Sequence, residues 1–501
     1  MHATFYIIVA YMATMIAIAL YVSFRKVKNS EDFHLAGRSL GPLMMAGTLA
    51  AAEIGGGSTI GVAARAYGDW GLSAGWYVVC AGIGIFLVSF VAPFLRKSMA
   101  TTVPEILARR YGTPSHIITT VLSLGTLFVA TAAQVKATSS IIQTVSGADF
   151  MTVTILVAIV VTLYTMMGGL VSVAFTDIVH IIFITVGMAI AMPIILSGAG
   201  GWETVSANIA AKAPQKLGLT LVGWKTIIGL ILMYFMTFST GQEAVQRYFA
   251  ARDIKTARLG SFLCSLLMAC YGFIPAIIGL CALAHFDGIN PNQAMPMAAM
   301  KFAPMLIAGL VMASVVAATM SSASGNLIGS CTLFTKDIYQ RYVNPNASDR
   351  QIVLVSKGVI VLMGIASLWI ALDESIGIIP LLVFGFTMRS AGPFAAFLFG
   401  FIYKNATKNG GLAAIVFGSI AAGYWQYMKE PYGIMSLVFG SLVSTIAFFA
   451  VSKIERSMGV AAAPPAITAE HEEANRLSEQ RNVPAASPVK AAGGHARQEG
   501  D

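Results

Sequence analysis

Charge is what this chain most lacks. Only 11% of its 501 residues are Asp, Glu, Lys or Arg, against about a quarter in a typical soluble domain. Apolar residues make up 56%, and mean hydropathy is +0.75. Acidic residues are the scarcer charge, 23 against 32 basic ones. The resulting +9 does not mark a nucleic-acid binder, because the basic residues sit in short loops between apolar runs, where membrane topology places them. Cysteine is sparse as well. Cys80, Cys264, Cys270, Cys281 and Cys331 lie within apolar runs with no metal-type pairing, and read as small buried hydrophobes. No phosphate loop, zinc spacing or nucleophile elbow occurs in a workable setting. With no catalytic constellation, the chain is not expected to be an enzyme.

What is present is a succession of apolar runs from Tyr6 to Val451, each of about twenty residues, the length that crosses a bilayer. The expected class is therefore an all-α polytopic membrane protein. About thirteen spans are expected, near 4–24, 41–66, 71–95, 115–145, 151–168, 170–198, 222–241, 257–286, 304–335, 351–373, 376–403, 410–428 and 433–453. The first run has no basic residues before it and no small-residue cleavage site after it, so it reads as a retained helix and not a signal peptide. Basic residues fall on alternate loops: Arg25, Lys26, Lys28 and Arg38, then Arg96, Lys97, Arg109 and Arg110, then Arg247, Arg252, Lys255 and Arg258. Lys336, Arg341 and Arg350, and later Lys404 and Lys408, continue the pattern. The positive-inside rule then puts the N-terminus outside and the C-terminus in the cytoplasm. After Lys453 the chain turns rich in Ala, Pro, Glu, Gln and Gly, and 456–501 is expected to be a disordered cytoplasmic tail.

The most informative segment is Ala51-Ala52-Glu53-Ile54-Gly55-Gly56-Gly57-Ser58, which interrupts an apolar run with three glycines and a carboxylate. Each glycine costs roughly 1 kcal/mol of helix propensity against alanine. Irregular backbone at bilayer depth is tolerated where it lines a cavity, and a carboxylate there suggests function. Close helix packing would account for the glycines but not for Glu53. A second interruption runs from Tyr234 through Thr237, Phe238 and Gly241 to Gln242 and Glu243. Counting from the second span, the seventh begins the next set of five. Two broken helices at corresponding positions point to inverted repeats with a midplane site between them.

Other polar residues punctuate the spans. Ala318, Ser321 and Ser322 share one helix face, offering a carbonyl and two hydroxyls that suit a hard cation; serine bonding back to its own helix is the alternative. Asp177, in Gly168-Gly169-Leu170 through Thr176-Asp177-Ile178-Val179-His180, should face the interior with a cationic partner, and His180 reads as a satisfied interior histidine. Arg389 in the eleventh span suits a carboxylate, of a solute or of an internal Asp or Glu. Lys136 with Gln134 poses the same choice.

These segments resemble the sodium:solute symporter family, relatives of bacterial proline, pantothenate, sialic-acid and sugar symporters. The likeness is carried by Ser30-Glu31-Asp32-Phe33-His34-Leu35-Ala36-Gly37-Arg38, by Thr102-Val103-Pro104-Glu105 through Tyr111-Gly112, and by Gly168 through Asp177. Gln242 through Val245-Gln246-Arg247-Tyr248 and Met320-Ser321-Ser322 through Thr335-Lys336-Asp337-Ile338-Tyr339 extend it over nearly the whole membrane region. The resemblance implies a leucine-transporter-like fold of two inverted five-helix repeats, preceded by one helix and followed by two. The expected divisions are 1–40, a transporter core 41–404 built of 41–198 and 222–404, two further helices in 405–455, and the tail. It also implies a sodium site from the carbonyls of Ala51, Ile54 and Ala318 and the hydroxyls of Ser321 and Ser322. A second sodium would use Asp177, Ser321 and Ser324, but Gly325 stands where members with that site have serine, so the second ion is left open. Glu53 falls where the proline symporter has an aspartate and the sugar symporter an asparagine, which disfavours a hexose. The sugar branch's gating tyrosine falls at Thr237, leaving Phe238 or Tyr234 to gate.

The expected function is sodium-coupled import of a small polar or anionic solute by alternating access, a carboxylate or amino acid being favoured on account of Arg389. The solute is expected to meet Glu53, Gly55, Gly56, Gly57, Ser58, Thr237, Phe238, Gln242 and Arg389. Proton coupling through Glu53 or the Asp177–His180 pair, and a transporter-like nutrient sensor, are the alternatives. The expected setting is a bacterial inner membrane, with a small solute and the bilayer as partners, no nucleic acid, and a monomer sufficient for transport.

Overall fold

The computed structural model describes residues 2–26, 29–373 and 375–481. Lys28 and residues 482–501 of the expected tail lie outside them. Among the described residues the fold is helical throughout, the one extended feature being an isolated bridge between Leu40 and Ala251. Eight of the described helices are long and apolar enough to cross a membrane, or nine if a pair bent by 48° is one span.

Thirteen spans are therefore not confirmed, and the shortfall has physical causes. The second span is broken into short pieces, Pro42–Glu53, Gly57–Gly61 and Val62–Tyr67. The eleventh is the bent pair Ile378–Ser390 and Pro393–Ile402. The seventh and twelfth, Gly223–Thr240 and Lys408–Tyr427, carry enough polar residues to fall outside the eight. The fifth and sixth run together as Phe150–Gly198, yet the chain reverses between them. Tyr164 Oη lies 2.5 Å from Thr176 Oγ1, whereas twelve residues of continuous helix would separate them by about 18 Å. The turn is Gly169, at φ +57°, ψ −164°. A side chain there would be strained, and its Cβ would come within 2.6 Å of the Phe33 carbonyl oxygen.

The elements that build the site are α1 (His2–Lys26), α2 (Pro42–Glu53), α3 (Trp76–Val88), α4 (Thr113–Ser146) and α5 (Phe150–Ile182). They continue with α6 (Gly223–Thr240), α7 (Gln242–Ala250), α8 (Met305–Thr332) and α9 (Ile378–Ser390). α2 starts on Pro42, whose fixed φ suits a first helical position. α4 packs against both α8 and α9, and α2 against α5 and α8. Almost every residue of α8 from Val311 to Thr332 is buried, which makes it the central post of the bundle.

The expectation of a disordered tail is corrected over Ala469–Arg481, which forms a helix, α10. Its start is set by local bonds, since His471 Nδ1 meets both the backbone N–H (3.1 Å) and the hydroxyl (2.7 Å) of Thr468. Glu470 and Glu472 in its first turn favour the positive end of the helix dipole. Buried Arg96 anchors α10, donating to Asn475 Oδ1 (3.0 Å) and Ser478 Oγ (2.9 Å). Composition alone overlooked this helix because its stability comes from docking and not from an apolar face of its own.

Candidate solute cavity and sodium position

α2 gives up its helical bonding at Glu53. Ile54 turns to φ −81°, ψ +79°, and the Gly55 N–H bonds to the Glu53 oxygen (3.0 Å) in place of the Ala51 oxygen four residues back. The Ala51 carbonyl is thereby released from the helix ladder. Regular α-helix does not resume at once, because Gly61 N–H reaches back five residues to Gly56 O (2.8 Å), a π-type turn of the kind that clusters at functional sites. Two neighbours cover the break. Gln134 on α4 accepts from the Gly56 N–H (2.7 Å), and Ser322 on α8 donates to the Ala52 carbonyl (2.6 Å).

The structure places the expected sodium residues on these two facing elements. Ala51, Ile54 and Ala318 are fully buried. Ser321 donates to Asp177 Oδ1 (2.5 Å), as Ser322 does to Ala52 O. Each hydroxyl has then spent its proton and keeps lone pairs for a cation, so the donor set of neutral oxygens fits a sodium ion. For Ser321 and Ser322, bonding back within the helix is not what is found. Ser324 does bond back, to Ser321 O (2.9 Å).

Asp177 is enclosed by Ser321, by the Thr48 hydroxyl, and by Arg247 Nη2 at 3.6 Å. The cationic partner expected for it is thus Arg247, which also donates to Thr48 O (3.0 Å). A Cβ on Gly325 would sit 3.1 Å from Arg247 Nη2, so the guanidinium lies against the position where a further serine would stand. His180 is satisfied internally, with Tyr11 Oη at 2.5 Å from Nδ1 and Tyr164 Oη at 3.5 Å from Nε2. Lys136 donates to the carbonyls of Asp373 and Ile376, in the turn before α9.

Beside the α2 break lies a cavity of about 30 Å³, room for a water or two and not for a solute without widening. Of the residues expected to meet the solute, Glu53, Gly55, Gly57, Ser58 and Phe238 line it. Gly56 contributes its N–H to Gln134 instead. Thr237, Gln242 and Arg389 do not line the cavity. Thr237 bonds to Ser390 (3.1 Å), because its face of α6 meets α9. Gln242 ties down the loop before Val103, donating to Thr101 O (2.9 Å) and accepting from Val103 N–H (3.1 Å). Arg389 forms an ion pair with Glu243 at 2.5 Å and covers the Phe386 ring at 5.2 Å. Of the two partners open to Arg389, the internal one is found.

Sequence reasoning missed Tyr77, Glu243, Asn326 and Phe386 on the wall. Glu243 carried a usable signal, being an acid two residues beyond the break at Gly241, the same kind of signal that marks Glu53. Tyr77 carried none. Tyr234 stacks on Phe238 (5.2 Å between ring centres) and meets Tyr77 edge-on (5.4 Å), so the two residues expected to gate act as one aromatic plate.

Comparison with known proteins settles the family. The model of the sodium:solute symporter family matches residues 33–418. The chain belongs to the sodium:solute symporter family. It is 24% identical over 465 residues to the osmoregulated proline transporter OpuE of Bacillus subtilis, covering 89% of this chain and 94% of that one. It is 25% identical over 493 residues to a sodium/glucose cotransporter of Vibrio parahaemolyticus, covering 89% of each. Among solved structures, a substrate-bound, outward-open sodium-coupled sialic acid symporter superposes with a TM-score of 0.78 at 22% identity, over 92% of this chain and 99% of that one. The fold is accordingly leucine-transporter-like, and the protein is a membrane transporter of the symporter class, not an enzyme.

Proposed function

We propose that this symporter couples inward sodium flow to import of a small polar solute, alternating access around the α2 break. The observation that carries the reading is the junction at that break. A released Ala51 carbonyl and a Ser322 hydroxyl that has donated to Ala52 leave neutral oxygens from two helices facing a common place. Sodium held there by Ala51, Ile54, Ala318, Ser321 and Ser322 ties α2 to α8. That tie stabilises the closed arrangement of the cavity wall beside it, and by linkage the solute tightens sodium as much as sodium tightens the solute. Arg389 is engaged by Glu243, so the ground for preferring an anionic solute falls away. In this reading the N-terminus lies outside and α10 in the cytoplasm of a bacterial inner membrane, and one chain suffices for transport.

Proton coupling is the second reading, favoured by Glu53 alone, whose Oε1 is buried without a hydrogen-bond partner among the described residues. The two separate in one experiment: thermal stability of the purified protein in sodium against choline at fixed pH, in wild type and Ser322→Ala. A sodium-dependent shift that Ser322→Ala reduces supports the sodium reading, since ligands of the folded state stabilise it. No sodium shift, with sodium-independent uptake driven by a pH gradient, overturns it.

A further inference from the structure

Resting on that reading, we infer that the solute carries a positively charged nitrogen, an amine or quaternary ammonium, held between the Glu53 carboxylate and an aromatic wall. Three features of the cavity converge on it. First, Glu53 stands on the wall with Oε1 shut away from solvent and unpartnered, and a buried anion without a counter-charge is costly. Second, no cationic side chain lines the cavity. Arg389 pairs with Glu243, and Arg247 is spent on Thr48, Asp177 and the Glu243 carbonyl. The second carboxylate on the wall is thereby neutralised and the first is not. Third, the remaining wall is π-rich: Tyr77, Tyr234, Phe238 and Phe386 surround the same space, and ring faces attract ammonium groups that have shed their water.

A carboxylate solute would meet the Glu53 charge with no cationic side chain on the wall to offset it. A zwitterion fits if its ammonium points at Glu53 and its acid group meets the side-chain amides of Gln134 and Asn326 on the same wall. The small size of the cavity favours few heavy atoms, with Tyr234 and Phe238 moving to admit them.

The test uses purified full-length protein and sodium-dependent thermal shifts with matched probes on one carbon skeleton: butylamine, γ-aminobutyrate and butyrate, then pyrrolidine, proline and cyclopentanecarboxylate. The expected result is stabilisation by the ammonium-bearing members of a skeleton and none by its pure acid. Glu53→Gln should weaken that response at least about tenfold, the usual scale for truncating one side of a buried charge contact. Glu53→Asp, which keeps the charge, should retain the preference for the cation and serves if Glu53→Gln does not fold. Stabilisation by the acids, or an unchanged amine response in Glu53→Gln, overturns the inference. So does a shift by sodium alone that Glu53→Gln abolishes, because Glu53 would then hold the ion. A sodium shift retained in both proteins with no amine response also overturns it while leaving the coupling reading intact, whereas absence of any sodium shift in wild type defeats the coupling reading itself.

Discussion

Arg389 offers the clearest separation between binding a solute and holding the fold. Arg389 is 1% exposed and its partner Glu243 5%, and the two meet at 2.5 Å. Gly241 makes the approach feasible, since a Cβ there would lie 2.5 Å from Arg389 Nη2. Replacing Arg389 by glutamine removes the cation and leaves Glu243 buried without its counter-charge. Breaking one side of a buried pair costs about 3–5 kcal/mol, a large fraction of the 5–15 kcal/mol that typically stabilises a domain. Removing both charges leaves two amides able to bond to each other, so Glu243→Gln with Arg389→Gln should recover most of that loss. Thermal unfolding in detergent of the two single variants and the double variant completes a double-mutant cycle, and a coupling of about 2 kcal/mol or more is expected, within the range seen for residues in contact. Sodium-driven uptake should fall in the Arg389→Gln variant for every transported solute alike and revive in the double variant. If the double variant is no more stable than Arg389→Gln, or if Arg389→Gln keeps wild-type stability and loses anionic solutes only, the internal pairing is not the role of Arg389.

Two further outcomes follow from groups outside the spans. His34 is fully buried, contacting Thr332 Oγ1 at 2.8 Å, and burial pushes its pKa down to about 3. The imidazole is therefore neutral in the fold but gains a proton in the unfolded chain near 6.5. Between these values the unfolded state binds more protons, so stability is lost as pH falls, by about 2 kcal/mol at roughly pH 5. His34→Gln should lose correspondingly less stability than wild type between about pH 7 and 5, and superimposable stability–pH curves would count against the buried neutral histidine. Separately, Asn475→Ala with Ser478→Ala removes both Arg96 contacts to α10 while sparing the bond from Arg96 to Ala251 O (2.6 Å). Limited proteolysis between Gly459 and Thr468 should then accelerate with no change in cleavage elsewhere, and an unaltered rate would mean that α10 is held by other contacts.

How much of the site was legible depended on whether a residue breaks the local rule of its segment. Glycines and a carboxylate inside an apolar run stand out, so the α2 break and Glu53 could be read directly, as could the second interruption, which the structure narrows to Gly241 at ψ +118°. Which side chains turn inward could not be read. In a soluble helix the polar face fixes the rotation, but here lipid and protein are both apolar, and successive residues differ by about 100° around the axis. Hence Phe238 reaches the cavity while neighbouring Thr237 faces Ser390, and Phe386 lines it while Arg389, almost one turn on, leans back onto Glu243. The span count failed for a related reason, since the breaks that free backbone groups for binding also cut helices below crossing length.

Glycine at the α2 break admits two explanations, close packing or a binding cavity, and the geometry makes them one requirement. A Cβ on Gly55 would lie 2.4 Å from Ser322 Oγ and 2.8 Å from Gln134 Oε1, and one on Gly56 would lie 2.4 Å from the Ala137 Cβ. Without the missing side chains, α4 and α8 come close enough for Gln134 to take the Gly56 N–H and Ser322 to reach Ala52 O. Those two bonds replace part of what the helix loses, and they hold the Ala51 carbonyl open beside the serines. The proposed sodium position would therefore use the same absent atoms as the helix crossing, so a substitution at Gly55 that disturbs packing should also reduce the sodium-dependent thermal shift.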